Sequence, residues 1–341
     1  MKPDRPRVRV AQCAPALGDV PANLERMLAL TAQAERDDVD LLLFPELALT
    51  GYSLRDHVPE CALDLQSREI RALAAASRKT SLAFGFIEET AEHLFFNSAA
   101  YAEAGRLVHV HRKVHLPTYG LFEEGRHFAA GDSVRAFDTR FGRLAMLVCE
   151  DVWHLPMPYL ATLDGALAIL VLSVSPTRGL GADGKAKNTL AWERLLLTYA
   201  SSLTVFMMYA NRVGFEDGVG YWGGSEIVSP SGEVILKAAY HEEDYPTAEV
   251  DFDLVRRERI STPLLRDERL AVVRAELDRI IRKRQGVGAE PERETLGGRA
   301  RSMRGASPTP EPPTTRKRSP ARKRSSAKRP KETRRRRRSS R

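Results

Sequence analysis

Apolar positions along this 341-residue chain follow two periods. Short continuous apolar runs at 41–44 and 144–148 are bounded by turn residues, Pro45 after the first and Phe141-Gly142 before the second, and read as buried strands. Runs at 8–13, 81–88, 96–102, 166–174 and 204–210 read the same way. The turn Glu103-Ala104-Gly105 leads from the 96–102 run into an alternating strand that ends at Lys113. Between the strands helical spacing recurs: Leu24, Met27, Leu28 and Thr31 behind a cap at Asp19 or Asn23, then stretches at 69–79 and 188–201. Hairpin-like strands follow at 225–229 and 234–238. A terminal helix at 263–284 carries Leu270, Val273, Leu277, Ile280 and Ile281 on one face. Helices alternating with strands predict an α/β fold.

No apolar run approaches the roughly 18 residues of a membrane-spanning helix. Residues 1–9 are charged and proline-bearing, without the apolar centre of a secretory signal, so a soluble chain is expected. The cysteines, Cys13, Cys61 and Cys149, are odd in number and lack framework spacing, which points to a reducing, cytoplasmic setting.

With 43% apolar residues the length allows one large domain or two small ones, and the charge distribution decides between them. Residues 299–341 hold 18 Lys and Arg against two acids, whereas the first 298 hold 35 against 43. From Gly286 onward the chain is rich in Arg, Lys, Pro, Ser and Thr and poor in large apolar residues. Such a segment cannot bury a core, so 286–341 is expected to be a disordered basic tail on a mildly acidic domain spanning 1–285. Its SPARKRSSAKRPK stretch resembles linker-histone tails in composition. Without interleaved aromatics it would meet phosphates and not bases, so its expected partner is non-specific nucleic acid or another polyanion; the alternative is a tail that only solubilises.

Three strands each end on a reactive residue. The 41–44 run is followed by Pro45 and Glu46, the alternating strand ends at Lys113, and the 144–148 run delivers Cys149, followed by the acids Glu150 and Asp151. Open α/β sheets place their active sites at the carboxyl ends of strands. A lone cysteine is more often a small buried hydrophobe, so Cys149 gains meaning only from its company.

That company, FPE at Glu46, HRKVHLP at Lys113 and CED at Cys149, resembles the nitrilase superfamily of carbon-nitrogen hydrolases over roughly residues 7–284. YGLFEEGRHFAAG and CEDVW resemble most closely the glutamine-hydrolysing domain of glutamine-dependent NAD synthetases. The resemblance implies a four-layer αββα sandwich and a homo-oligomer. It also implies a Glu46, Lys113, Cys149 triad, no cofactor and no metal. Glu124 takes the place of the family's second glutamate, with Arg126, Phe128 and Gly131 behind it and Glu123 as the flanking acid. In the implied chemistry Glu46 is the general base, and Lys113 favours the thiolate. Lys113 and the Glu150 N–H then hold the oxyanion while a thioester forms on Cys149 and is hydrolysed.

Tyr52, Tyr119, Trp153, Ser175 and Trp222 lie on loops beside the triad strands as candidate pocket residues. Glu150 and Ser175 match positions that contact the amino-acid end of the substrate in the glutaminase domains. The expected substrate is a small amide, glutamine or another carboxamide. N-carbamoyl compounds, and an acyltransferase that uses an amine in place of water, are the alternatives within the superfamily. The sequence shows no S-G-G-x-D-S motif, so a stand-alone amidase or a glutaminase serving a separate ammonia-consuming synthetase is expected. From another class, a non-catalytic scaffold could present the basic tail.

Three further patterns are set aside. GLGADGKA at 179–186 nearly matches a phosphate-binding loop but has Ala186 where a hydroxyl must meet magnesium. GVGYWG at 218–223 has dinucleotide-loop spacing but precedes a strand and opens no helix. His109, His111 and His115 read as polar packing without a metal-binding partner set.

Overall fold

The computed structural model describes residues 5–179 and 187–285. The expected tail, 286–341, and most of the phosphate-loop near-match, 180–186, lie outside the described residues. Contacts divide the chain into Met1–Ala275 and Glu276–Arg341, and the elements below, apart from the end of the last helix, belong to the first unit.

Strand β1 (Arg7–Val10), helix α1 (Val20–Arg36), strand β2 (Leu41–Leu43), helices α2 (Val58–Cys61) and α3 (Arg68–Ala76) and strands β3 (Ser81–Glu89), β4 (Phe95–Glu103) and β5 (Arg106–Arg112) form the first half. A short helix, α4 (Glu124–His127), precedes strands β6 (Ala136–Thr139) and β7 (Gly142–Val148). Helix α5 (Pro156–Leu163), strand β8 (Ala168–Ser173), helix α6 (Lys187–Leu203) and strand β9 (Phe206–Asn211) follow. The ribbon β10 (Val213–Glu216) and β11 (Val219–Trp222), the hairpin β12 (Glu226–Val228) and β13 (Val234–Lys237), and β14 (Thr247–Glu249) complete the strands. Helices α7 (Asp253–Ser261), α8 (Leu264–Asp267) and α9 (Leu270–Arg284) end the described chain.

Two six-stranded sheets carry the architecture, ordered β14-β1-β2-β3-β4-β5 and β13-β12-β9-β8-β7-β6. In each, three central strands are parallel and the outer pairings antiparallel. Strand alternation decides what faces what. Leu41 and Leu43 of β2 join a core shared with Leu144–Val148 and Ala168–Leu172 of the opposite sheet. Leu42 points the other way, to Met27 of α1 and Ile70 and Leu73 of α3. On the far side Ala161 of α5 and Trp192, Leu196 and Ala200 of α6 cover the second sheet. The layers are therefore αββα, as the resemblance implied.

Several boundaries differ from the sequence reading. Asp19, not Asn23, caps α1, accepting from the Ala22 N–H. Asn23 is buried in the first turn and ties together the Ala16 and Leu49 backbones. Ser67 caps α3, which stops at Ala76 because the Ser77 hydroxyl turns back to the Ala74 carbonyl. The terminal helix is broken: Pro263 starts the single turn of α8, and Glu268 adopts an extended ψ of 131° before α9 begins. Leu270, Leu277, Ile280 and Ile281 of α9 are exposed. The 218–223 glycine pattern forms the ribbon's turn and β11, so the expectation that it opens no helix holds. Among the described residues no helix is long and apolar enough to cross a membrane.

Candidate active site

Glu46, Lys113 and Cys149 each leave the end of a strand, and close backbone packing fixes where they emerge. Glu46 follows β2 in a turn pressed against Gly85 of β3, where a Cβ would come 2.3 Å from the Leu47 nitrogen. Lys113 follows β5 beside Gly131, where a Cβ would lie 2.2 Å from the Arg112 carbonyl oxygen. Only glycine permits either approach. Cys149 opens a 3-10 turn after β7 with φ +44°, a left-handed conformation that costs a non-glycine residue about 1 kcal/mol or more. The surrounding core therefore holds the thiol on a sharp corner.

Lys113 is the hub. Its Nζ donates to Glu46 Oε1 at 2.8 Å and to Glu124 Oε1 at 2.6 Å, and all three side chains are buried. Glu46 Oε1 also accepts from Asn97 Nδ2 at 2.7 Å, and Oε2 accepts from the Val174 N–H at 2.7 Å. The Tyr52 hydroxyl donates to Glu124 Oε1 at 2.7 Å, while Glu124 Oε2 is buried without a hydrogen-bond partner among the described residues. Cys149 Sγ accepts from Ser173 Oγ at 3.3 Å.

The electrostatics follow from this crowding. Burial opposes the Lys113 ammonium, but Glu124 and Glu46 outweigh it and hold its pKa well above the usual lysine value. Burial raises Glu124 to about 7, with Lys113 pulling it back and Glu46 pushing it up. Burial and the Glu46 charge hold the Cys149 thiol well above its ordinary pKa, although Lys113 and Ser173 work the other way. Lys113 therefore favours the thiolate, but burial and the Glu46 charge outweigh it.

Asp151, the second acid of the CED stretch, is a structural clamp that the sequence reading missed. Its Oδ1 accepts from the Val114 and His115 N–H groups at 3.0 and 2.9 Å. Its Oδ2 accepts from the Val148 N–H at 3.1 Å and from His111 Nε2 at 2.9 Å. Four donors fill its acceptor sites and tie the Lys113 loop to the Cys149 turn. Burial opposes the carboxylate, yet the hydrogen bond and charge of His111, with these N–H groups, hold its pKa below the ordinary value. That stabilisation is complete above the unfolded value near ~3.9 and is lost as pH falls through the lower folded value. Asp151→Ala strands three backbone N–H groups and should cost about 3 kcal/mol or more, read as a lowered midpoint of denaturant unfolding.

The candidate substrate residues separate into groups. Tyr52 is drawn to Glu124, as above. Tyr119, largely exposed, donates to both carboxylate oxygens of Glu150 at 3.1 and 3.0 Å, and burial raises the Glu150 pKa. Trp153 remains partly exposed, edge-on to the buried Trp192 at 5.2 Å. Ser175 is buried just beyond β8, and its Oγ accepts from Asn188 Nδ2 at 3.3 Å and Trp222 Nε1 at 3.2 Å. Trp222 is not on a loop: it is a buried residue of β11, stacked 6.0 Å from Tyr209, so it supports Ser175. A cavity of about 450 Å³ opens beside Glu124 and Tyr52, lined also by Arg55, Arg126, His127 and Asp217; Cys149 is not among its lining residues.

The histidines have packing partners. His109 stacks on Phe137 at 4.3 Å, His111 serves Asp151, and His115 stacks on His154 at 3.5 Å. Among the described residues no group of three or more His, Cys, Asp or Glu could hold a metal ion. The described cysteines are all free and buried.

Comparison with known proteins accords with this geometry. The family model for carbon-nitrogen hydrolases matches residues 7–259. The glutamine-dependent NAD(+) synthetase of Thermotoga maritima is 33% identical over 254 residues, covering 73% of this chain and 42% of that protein. The solved glutamine-dependent NAD+ synthetase of Acinetobacter baumannii aligns with TM-score 0.67 and 30% identity, over 74% of this chain and 46% of that one. A carbon-nitrogen hydrolase from Helicobacter pylori aligns with TM-score 0.70 and 25% identity, over 80% and 97%. The chain thus spans less than half the length of the two synthetases and nearly all of the hydrolase. With a family model covering most of its length, the chain belongs to the carbon-nitrogen hydrolase family.

Proposed function

We propose that this enzyme cleaves a small carboxamide through a thioester on Cys149 and releases ammonia, with glutamine the first substrate to test. The observation that carries the reading is the buried contact of Lys113 with both Glu46 and Glu124, beside a thiol held on a left-handed corner. Such a cluster is costly to bury and adds little to stability, which favours a chemical use for it.

Each residue then has a step. Glu46 Oε1 already accepts two hydrogen bonds, whereas Oε2 accepts one, from Val174, and keeps a lone pair for the thiol proton. As Cys149 attacks the amide carbon, that proton passes to Glu46, and the carbonyl oxygen gains charge against the Lys113 ammonium and the Glu150 N–H. Glu46 returns the proton to the departing nitrogen, ammonia leaves, and a thioester remains. Water gives a proton to Glu46, attacks the thioester and frees the acid and the thiol. Starting from the neutral thiol accounts for why the base must be adjacent.

For substrate selection, Glu150, steadied by Tyr119, receives an amino group. The Ser175 Oγ, held by Asn188 and Trp222, takes the substrate's carboxylate, as the resemblance to the glutaminase domains implies. Both features suit an amino-acid amide. With glutamine as substrate, the ammonia released would supply an ammonia-consuming synthetase. A panel of amides including glutamine, assayed for ammonia release, tests the reading; ammonia from none of them would overturn it.

Glu124 gives this reading a pH signature. As pH falls through about 7 Glu124 takes up a proton, removing one of the two negative charges that draw the thiol proton into the site. We expect kcat/KM to fall on the acid side of that value, and Glu124→Gln to lose this limb while lowering the plateau. The interacting groups titrate together, so the limb belongs to the cluster.

The basic tail has a separate role in this proposal, argued from composition: binding of nucleic acid or another polyanion through phosphates. Truncation after Gln285 should abolish sequence-independent, salt-sensitive DNA retention and spare amide hydrolysis. Loss of hydrolysis on truncation would move the domain boundary.

A further inference from the structure

Behind Cys149 lies a second pair of groups that the steps above do not use. Ser173 is the last residue of β8, and its Oγ donates to Cys149 Sγ at 3.3 Å. The Tyr209 hydroxyl, on the neighbouring parallel strand β9, donates in turn to Ser173 Oγ at 3.3 Å. Both side chains are completely buried. Tyr209 is held by stacking on Trp192 at 4.9 Å and on Trp222 at 6.0 Å. Two aromatic neighbours thus restrict a phenol that donates to the serine at Cys149.

We infer that Tyr209 and Ser173 form a hydroxyl relay that aims the Cys149 proton at Glu46 and stabilises the sulfur as it becomes a thiolate. The direction of the chain carries the first half. With Tyr209 donating to Ser173, the Ser173 proton is directed to the sulfur, so the sulfur accepts on that side and its own proton points elsewhere. The adjacent residue, Val174, gives its N–H to Glu46 Oε2, so one short stretch of chain places both the hydroxyl behind the sulfur and the carboxylate oxygen that receives the proton. No net transfer occurs along the relay: one proton moves, from sulfur to Glu46, while the two hydroxyls keep theirs and shorten their hydrogen bonds to the growing charge. Ser173 touches the reacting atom and is a catalytic residue in this sense. Tyr209 acts through it and is a positioning residue.

The inference rests on the proposed chemistry at Cys149, but its test does not require turnover. The pH dependence of Cys149 alkylation by iodoacetamide, followed by mass spectrometry with Cys13 and Cys61 as internal references, reads the thiolate directly. In Ser173→Ala the alkylation limb should move up by about one pH unit, a tenfold loss of thiolate at a given pH. Tyr209→Phe should move it by less, and the double variant no further than Ser173→Ala alone, because the two hydroxyls act in series. An unmoved limb in both single variants, or shifts that simply add, would overturn the relay. Tyr209→Phe removes a single oxygen and carries the test if Ser173→Ala fails to fold. If the limb moves but no amide is hydrolysed by the unmodified protein, the relay stands and the assigned reaction falls.

Discussion

Cys149→Ala should abolish amide turnover, with ammonia release falling by several orders of magnitude, and should leave the fold intact. The nucleophile has no substitute, since Cys13 and Cys61 pack in other apolar clusters. Alanine at φ +44° carries the same backbone strain as cysteine, so the corner is neither relieved nor tightened. The loss of one small buried group costs about 1 kcal/mol. Thermal unfolding of the variant beside its activity separates the two effects. In the unmodified protein Cys149 should also be alkylated faster than Cys13: burial raises both thiols, but at Cys149 the Lys113 ammonium and the Ser173 hydroxyl favour the thiolate, and Glu46 is placed to take the proton.

Lys113→Ala should be as severe for turnover, and, unlike Cys149→Ala, severe for stability too. Removing one oxyanion donor typically costs about a hundredfold to a thousandfold in rate. Removing the ammonium also leaves Glu46 and Glu124 buried without their shared cation, and breaking such a pair costs about 3–5 kcal/mol. The sign with pH follows from the shift. Lys113 pulls the Glu124 pKa down, so without it the folded value rises further above the unfolded one. A carboxyl shifted in that direction stabilises fully below its unfolded value near ~4.3 and loses that contribution as pH rises through its folded value. The stability deficit of Lys113→Ala should therefore shrink on acidification, which denaturant unfolding at several pH values would show. Lys113→Arg should fail as well, because a planar guanidinium cannot place one compact charge between the two Oε1 atoms. Near-normal rates in Lys113→Arg would contradict the role given to this residue.

The reach of the sequence differed from residue to residue for physical reasons. Glu46, Lys113 and Cys149 were legible because each follows a short apolar run with a turn signal, and strand ends converge at one edge of a sheet. Glu124 was placed only by the pattern around it, since nothing in its local spacing announces the bond to Lys113. Asp151 stood in plain view beside the cysteine, but its value lies in N–H groups 36 and 37 residues away and in His111, contacts that no local pattern encodes. Ser173 and Tyr209 were hidden in strand runs that read as wholly apolar. Trp222 was read as a loop residue, whereas the chain there pairs as a ribbon. The break before α9 was missed because Glu268 is a good helix former that takes an extended conformation here.

The central claim is a covalent acyl group on Cys149, and rapid acid quench followed by intact-mass analysis tests it most directly. With an amide that releases ammonia, the protein should gain the mass of the substrate less ammonia, mapped by fragmentation to Cys149 and absent from Cys149→Ala. Ammonia release with no adduct, together with undiminished turnover in Cys149→Ala, would contradict the account.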